Sequence, residues 1–260
     1  MTSVVVLVKY VPDASGDRTF TPENTVDRLG NDGLLSELDE YAVEEALKIA
    51  EGYAGEVTVL TVGPERAVDA IRKALQMGAH KAVHVLDDAI GGSDAAATSL
   101  LLAQALAKIA DYDLVVTGLA STDASMSVVP AMLAERLGLA QLTFASELTT
   151  DGDNIKIRRD GDLATQVIEA SGKLVISVTD QINDPRYPSF KGIMAAKKKP
   201  VLTWSLSDLG VESSEVGAEA AWTKVISVER RPPRTAGQIV TDDGDGGTKL
   251  AEFLAAKKFV

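Results

Sequence analysis

The chain has 260 residues, no cysteine and a formal net charge of −12. Its length suits one large domain or one domain with additions. The lack of cysteine excludes a disulfide framework, a thiol nucleophile and a cysteine-based metal or iron–sulfur site, and the negative charge argues against nucleic acid, which requires a basic face.

The first predicted element is a buried strand over Val4–Val8, a continuous apolar run typical of parallel sheets covered on both faces. The run is too short for a signal peptide and lacks a basic start. No stretch of the chain approaches the ~18 apolar residues of a membrane span. We therefore expect a cytoplasmic location and no membrane insertion. The polar segment Ala14–Gly33 then forms a long loop, here called the polar loop, with room for a short hairpin. Such loops are more often functional than accidental.

Strands and helices alternate up to about residue 140. The predicted strands are Glu56–Val62, Ala82–Leu86 and Asp113–Gly118, and the predicted helices are Leu38–Ala50, Glu65–Met77, a segment from Ser93 or Asp94 to about Ala110, and Pro130–Leu137. This order predicts an α/β fold with a Rossmann-like parallel sheet flanked by helices. Such sheets bind ligands in the crevice at the carboxyl ends of their strands. The segment Gly118–Val129, here called the nucleotide loop, is therefore the expected ligand site.

The first helix carries many carboxylates. They are Glu37, Asp39, Glu40, Glu44 and Glu45. At these spacings we interpret them as a solvated face, with Ser36 or Asp39 available to cap the start of the helix.

From Gln141 the pattern changes to short strands separated by turns that contain glycine. The predicted strands are Leu142–Leu148, Asn154–Arg159, Leu163–Ala170 and Leu174–Val178. Asp-Gly dipeptides and Ser171-Gly172 supply the turns, so we predict an antiparallel meander that extends the edge of the parallel sheet. Val201–Leu206 is one further strand, and Lys249–Lys257 is a terminal amphipathic helix. The intervening tail, Arg230–Val240, has little core of its own and is expected to lie along another chain as an extended arm.

The segment Asn183–Pro200, here called the docking loop, is unusual for the surface of a soluble protein. Pro185 and Pro188 restrict its start, so a helix can begin only after them. Four large apolar side chains follow beside several lysines; they are Tyr187, Phe190, Ile193 and Met194, with Lys191 and Lys197–Lys199. The spacing of the last three apolar residues places them on one face of a short helix. They either form an exposed docking patch or plug the loop onto the core. The lysine run is a solvated run unless it meets an acidic partner.

Familiar catalytic motifs are absent. The sequence contains no P-loop, no usable G-x-G-x-x-G and no G-x-S-x-G, and its two histidines, His80 and His84, are too few for a histidine metal cluster. The nucleotide loop is the best small-molecule candidate, because it offers backbone amides and hydroxyl groups next to a helix start. Its candidate residues are Gly118, Ser121, Thr122, Asp123, Ser125 and Ser127. The alternative is a hydroxyl-rich turn that only caps the helix.

The docking loop resembles the recognition loop of the beta subunit of electron-transfer flavoproteins. The resemblance rests on Pro185-Arg186-Tyr187, Phe190, Ile193-Met194 and Lys197-Lys198-Lys199, and extends to Tyr41–Ala46 and Arg234-Thr235-Ala236-Gly237. It implies an obligate heterodimer whose alpha subunit holds most of an FAD, with Lys9–Asp13 of this chain beside the flavin. It further implies an electron carrier in fatty acid beta-oxidation, without turnover chemistry of its own. Electrons come from acyl-CoA dehydrogenases and other flavin dehydrogenases and pass to a quinone oxidoreductase.

The resemblance also implies the roles of individual residues. The partner-docking residues are Tyr187, Pro188, Phe190, Ile193, Met194 and Lys197, with Phe190 where the family usually has leucine. The family binds AMP, or a second FAD in its electron-bifurcating members, and these contacts fall near Leu7, Ser36–Asp39, Val62 and the nucleotide loop. After Asp123 that loop departs from the family pattern, so phosphates must be held there by backbone groups. Lys9 and Asp13 are cofactor-binding residues as part of the segment beside the flavin.

The resemblance implies two parts of the chain. Residues 1–206 form the nucleotide-binding-like domain with its meander and docking loop, and residues 207–260 form an arm and helix that pack on the alpha subunit. A rival hypothesis is a stand-alone adenine-nucleotide-binding stress-type protein, which accounts for residues 1–140 only. A hydrolase of the same fold lacks a credible catalytic constellation.

Overall fold

The structure, a computed structural model, describes residues 3–28, 30–234 and 237–260. In chain order the strands are β1 (Ser3–Leu7), β2 (Tyr10–Pro12), β3 (Gly33–Leu35), β4 (Glu56–Val62), β5 (Lys81–Val85), β6 (Leu114–Gly118), β7 (Ala140–Asp151), β8 (Asn154–Asp160), β9 (Thr165–Ser171), β10 (Leu174–Val178) and β11 (Val201–Trp204). The helices are α1 (Glu37–Gly52), α2 (Val68–Met77), α3 (Ala95–Ile109), α4 (Val129–Leu137), α5 (Phe190–Ala196), α6 (Leu206–Leu209), α7 (Gly217–Ala220) and α8 (Gly246–Ala256).

Nine strands form one sheet in the order β11-β5-β4-β1-β6-β10-β7-β8-β9, and β2 pairs with β3 separately. Neighbouring strands are parallel from β11 through β7, and β8 and β9 continue the sheet in antiparallel pairing. The predicted α/β fold with a Rossmann-like parallel sheet is thus confirmed. Alternate side chains of β1 explain the two covered faces. Val4 and Val6 pack with residues of α1 and α2, whereas Val5 and Leu7 pack with residues of α3 and α4.

The predicted antiparallel meander is correct for β7, β8 and β9 but wrong for the strand Leu174–Val178. That strand, β10, lies between β6 and β7 and is parallel to both. All five of its residues are buried, as expected for a parallel strand covered on both faces. In β8, by contrast, buried and exposed residues alternate at the start of the strand. The Ser171-Gly172 turn therefore begins a crossover and not a hairpin.

Internal contacts divide the chain into two compact units, Met1–Ile226 and Ser227–Val260. Beyond residue 206, where the sequence suggested a boundary, Leu209, Val211 and Val216 are still buried in the core of the first unit. In the second unit, the carboxylate of Asp242 accepts hydrogen bonds from two glycine N–H groups just before or at the start of α8. Thr235 and Ala236, part of the stretch Arg234–Gly237 on which the resemblance partly rests, lie outside the described residues.

Among these described residues, no helix is both long enough and apolar enough to cross a membrane. The same residues contain no cluster of three or more metal-ligating side chains.

Candidate functional site

The strand order places a ligand crevice between β1 and β6. The chain leaves β1 towards β4 and β5 on one side and then returns through α3 to β6 on the other side. In open α/β sheets, ligands bind at such a reversal, outside the carboxyl ends of the strands. Here those ends lead into Lys9 and into the nucleotide loop, so the predicted location of the site agrees with the topology.

Asp39, in the first turn of α1, joins the two sides of this crevice. Its Oδ2 accepts a hydrogen bond of 2.8 Å from the backbone N–H of Lys9, and its carboxylate also accepts one from the backbone N–H of Gly118. A Cβ at Gly118 would lie 2.6 Å from Oδ1 of Asp39, so glycine allows α1 to approach β6 this closely. Burial raises the pKa of Asp39 to about 7, although these hydrogen bonds and the charge of Lys9 act in the opposite direction.

Both expectations about the acidic first helix need correction. Ser36 occupies the N-cap position, but its side chain makes no capping hydrogen bond; its hydroxyl oxygen accepts one from the backbone N–H of Thr122 at 3.3 Å. Asp39 does not cap the helix, and Asp39, Glu44 and Glu45 are only 7%, 7% and 4% exposed. They are buried because segments distant in sequence supply partners for their carboxylates, which helical spacing alone does not reveal.

A charged cluster lies beside the crevice. The buried carboxylate of Asp123 lies 2.9 Å from Nζ of Lys9 and contacts the guanidinium group of Arg28. Burial raises the pKa of Asp123, but the charge and hydrogen bond of Lys9, with Ser121 and Arg28, outweigh burial and hold this pKa at about 2. Arg18 donates hydrogen bonds to two carbonyl groups of the nucleotide loop. Two cations thus pair with one carboxylate, and a third cation, Arg18, binds the backbone beside it.

The nucleotide loop has two further features of a ligand site. Ser125 and Ser127 have φ values of 52° and 56°, in the left-handed region that residues other than glycine seldom adopt. The hydroxyl Oγ1 of Thr122 is buried without a hydrogen-bond partner, which is uncommon for a buried polar atom. Together with the excess positive charge, these residues fit a phosphate-bearing ligand.

The structure brings together most, but not all, of the residues predicted to bind a cofactor. Lys9, Ser36, Asp39, Gly118 and Ser121–Asp123 converge at the crevice through the contacts above, and Leu7 and Val62 end the adjoining strands β1 and β4. Asp13 is different, because its carboxylate is engaged in a local turn with Ser15. Sequence reasoning missed Arg18 and Arg28. Their only signal was their position in the long polar loop that follows β1.

The docking loop presents its apolar side chains to solvent. Tyr187, Phe190 and Met194 are 93%, 81% and 50% exposed, so these side chains do not plug the loop onto the core. The predicted short helix forms as α5, and the hydroxyl of Ser189 caps it by accepting a hydrogen bond of 3.0 Å from the N–H of Gly192. The role of these side chains in docking stays a prediction.

Side chains of α1 fasten the start of the docking loop. The guanidinium group of Arg186 bonds to the carboxylates of Glu44 and Glu51, with Nε 2.7 Å from Oε2 of Glu44. Asn183 donates hydrogen bonds to the carbonyl oxygen of Tyr41 and to the carboxylate of Glu45. The loop is therefore tied to the same helix whose first turn borders the crevice.

The end of the docking loop rests on the carboxyl end of α2. Nζ of Lys199 donates hydrogen bonds to the carbonyl oxygens of Leu75 and Gly78 at 2.9 and 3.2 Å, a favourable place for a cation. Burial lowers the pKa of Lys199. A Cβ at Gly192 would lie 2.5 Å from the carbonyl oxygen of Gln76, so glycine permits this contact. The prediction of a solvated lysine run is therefore wrong for Lys199, while Lys197 and Lys198 are exposed.

Comparisons with known proteins identify the family of the chain. The electron transfer flavoprotein domain model matches residues 23–209. The chain is 48% identical to the electron transfer flavoprotein subunit beta of Mycobacterium tuberculosis (strain H37Rv) over 100% of both chains. It is 33% identical to the subunit beta of Clostridium acetobutylicum over 92% of each chain. A third relative, the caffeyl-CoA reductase-Etf complex subunit CarD of Acetobacterium woodii, is 31% identical over 98% of this chain and 97% of its own.

Proposed function

The chain belongs to the electron transfer flavoprotein family, as a beta subunit, and from this premise we propose the assembly and the reaction in which it takes part. It forms a heterodimer with an alpha subunit that holds most of an FAD. The heterodimer accepts electrons from acyl-CoA dehydrogenases and other flavin dehydrogenases and delivers them to a membrane quinone oxidoreductase. In this role it works in the cytoplasm, serves fatty acid beta-oxidation and has no turnover chemistry of its own; the bound flavin accepts and releases the electrons.

The observation that carries the proposal is an apolar anchor held on a fastened loop. Phe190 is 81% exposed at the start of α5, while Arg186 and Lys199 fix the two ends of the docking loop to α1 and α2. A pre-positioned anchor loses little conformational entropy on binding. A single anchored contact also buries a small area, which suits a carrier that must release each partner quickly.

The second compact unit supports the need for an alpha subunit. Among its described residues, Ser227–Val260 has one helix and no buried residue. The apolar side chains of Ile239, Phe259 and Val260 are largely exposed. An apolar segment without a core of its own gains stability by packing on another chain. We propose that the second compact unit, Ser227–Val260, packs on the alpha subunit, and that Lys9–Asp13 lie beside the flavin of that subunit.

At the crevice we propose AMP as the ligand. Lys9, Arg18 and Arg28 offer positive charge, the nucleotide loop offers backbone N–H groups, and the unpaired hydroxyl of Thr122 offers a further hydrogen bond. A second FAD is the alternative occupant, because it carries the same adenine nucleotide. Mass spectrometry of the denatured, purified complex distinguishes the two occupants. It should detect AMP and one FAD per heterodimer in the first case, and two FAD without AMP in the second.

Co-expression with and without the alpha subunit tests the proposed function. The pair should purify as a yellow heterodimer with bound FAD, and an acyl-CoA dehydrogenase with its substrate should reduce that flavin rapidly. The chain alone should bind no flavin. A stable, monomeric chain that binds adenine nucleotide and never pairs with an alpha subunit would instead establish the stand-alone nucleotide-binding protein.

A further inference from the structure

A groove of about 540 Å³ lies between α2 and α5, beside the docking loop. We call it the α2–α5 groove. Its apolar lining comes from Val68 and Leu75 of α2, Ile193 of α5 and Val201 at the start of β11. Because β11 is an edge strand, the groove lies at one edge of the sheet, and the described residues contain no further strand beyond it. An apolar groove at such a place is suited to receiving a side chain from another protein.

Basic side chains surround this groove in a chain that is otherwise acidic. Arg72 and Lys197 line it, although Arg72 also forms an exposed pair with Asp69. The docking loop contains five basic residues and one acidic residue, whereas the whole chain carries a net charge of −12. Arg186 and Lys199 are already engaged with α1 and α2.

The other three basic residues are Lys191, Lys197 and Lys198. All three are exposed and form no ion pair within the part of the chain that the structure describes. Their charge is therefore available to a partner, and opposite charges on the two surfaces speed encounter more than they strengthen the final complex.

We propose that the α2–α5 groove receives an apolar side chain flanked by carboxylates from the surface of the partner flavin dehydrogenase. This inference rests on the proposed function, since the partner is the enzyme that supplies electrons. Docking is then reciprocal. Phe190 enters a pocket of the partner, and the partner places a side chain between α2 and α5, while Lys191, Lys197 and Lys198 attract its carboxylates.

Two variants of the flavin-loaded heterodimer test the groove separately from the anchor. Gln76→Trp fills the groove from the α2 side, and Lys197→Glu reverses a charge on its border. Lys156→Glu is the matched control, because it makes the same charge change at an exposed position in β8, near the opposite edge of the sheet. The measurement is stopped-flow reduction of the flavin by an acyl-CoA dehydrogenase at low and high ionic strength, with flavin content and melting temperature as folding checks.

Lys197→Glu should lower the second-order rate constant about tenfold at low ionic strength, and the difference should shrink at high ionic strength because salt screens the charges. Gln76→Trp should raise the dehydrogenase concentration for half-maximal rate about tenfold at both ionic strengths and leave the limiting rate unchanged. Lys156→Glu should stay within about twofold of the parent.

The failure of this inference is distinguishable from failure of the proposed function. If the parent is reduced rapidly and Phe190→Ala slows it, but both groove variants behave like Lys156→Glu, the groove is not a docking site. Sedimentation that shows self-association of the heterodimer, lost in Gln76→Trp, would assign the groove to a second copy and overturn the inference as well. If no flavin dehydrogenase reduces the parent, the proposed function itself fails.

Discussion

Nε of Arg186 lies 2.7 Å from Oε2 of Glu44, and this ion pair fixes the docking loop to α1. The side chain of Glu44 is only 9% exposed, whereas that of Glu51, the other partner of Arg186, is 59% exposed. Water can therefore replace the guanidinium group as the hydrogen-bond partner of Glu51 much more readily than as the partner of Glu44.

Glu44→Gln should lower the free energy of unfolding by about 1–2 kcal/mol, because the buried guanidinium contact loses its charged acceptor while Arg186 is partly screened by solvent. The same variant should raise the dehydrogenase concentration for half-maximal reduction of the heterodimer, since the loop is less well positioned. Urea denaturation and reduction kinetics measure the two effects. Glu51→Gln is the matched control and should cost less than about 1 kcal/mol. Equal effects of the two variants would contradict the assignment of Glu44 as the main contact.

Phe190→Ala should slow the reduction of the heterodimer by a partner dehydrogenase about thirtyfold at limiting partner concentration, which corresponds to losing one interface hot spot. Flavin content and melting temperature should not change, because the side chain is exposed in the subunit. Stopped-flow kinetics provide the measurement. Leu163→Ala, at a fully exposed leucine in the turn between β8 and β9, is the control for general loss of apolar surface. Unchanged kinetics for Phe190→Ala would reject the anchor role.

Asp39 predicts an unusual pH dependence of stability. Burial raises its pKa from an ordinary value of 3.8 to about 7, so between these values the folded state binds a proton that the unfolded state has lost. The free energy of unfolding should then fall as the pH rises from 3.8 towards 7, and level off above 7. Between about pH 6 and pH 8 this residue should remove about 1 kcal/mol.

Urea denaturation at several pH values, for the parent and Asp39→Asn, measures this contribution. The variant lacks the titrating group, so the difference between the two proteins should change by the stated amount across that range. A difference in the free energy of unfolding that is the same at every pH does not affect this test. Glu37→Gln, at an exposed position in the same helical turn, is the matched control for replacing a carboxylate by an amide. A parallel course for Asp39→Asn would show that the pKa of Asp39 is not raised.

The sequence allowed the parallel sheet to be predicted because buried parallel strands leave a local signal. Val4–Val8 is a continuous apolar run, Leu174–Val178 is apolar except for Ser177, and helical patterns separate most of the other strands. The pairing partners of Leu174–Val178 were not predictable in the same way, since no local pattern states which strands lie beside it. The turn at Ser171-Gly172 suggested a hairpin, whereas the burial of all five residues required a central position.

For the two candidate sites, too, the sequence predicted the location but not the contacts that hold the site together. The exposed docking loop was found from an uncommon local composition, and the nucleotide loop from the rule that ligands bind at the carboxyl ends of strands. Glu44 and Arg18 were missed because their roles depend on contacts with residues more than a hundred positions away in sequence. A charged residue on a helix or in a loop has the same local pattern whether such a partner exists or not.

Removing the hydroxyl of Thr122 should weaken ligand binding without lowering the stability of the protein. Its Oγ1 is buried and has no hydrogen-bond partner in the structure, so Thr122→Val removes an unsatisfied polar atom at nearly constant shape. Without nucleotide, the variant should be as stable as the parent or slightly more stable. With AMP, it should bind about tenfold more weakly, because one hydrogen bond to the ligand is lost.

Calorimetry with AMP and urea denaturation of the nucleotide-free protein measure the two effects. Thr61→Val is the matched control, since the hydroxyl of Thr61 donates a hydrogen bond of 2.7 Å to the carbonyl oxygen of Val8. That variant should lose about 1 kcal/mol of stability even without nucleotide. If Thr122→Val destabilises the nucleotide-free protein as much as Thr61→Val does, the hydroxyl of Thr122 already serves the fold and is not kept for a ligand. Unchanged AMP affinity in Thr122→Val would lead to the same conclusion about the ligand.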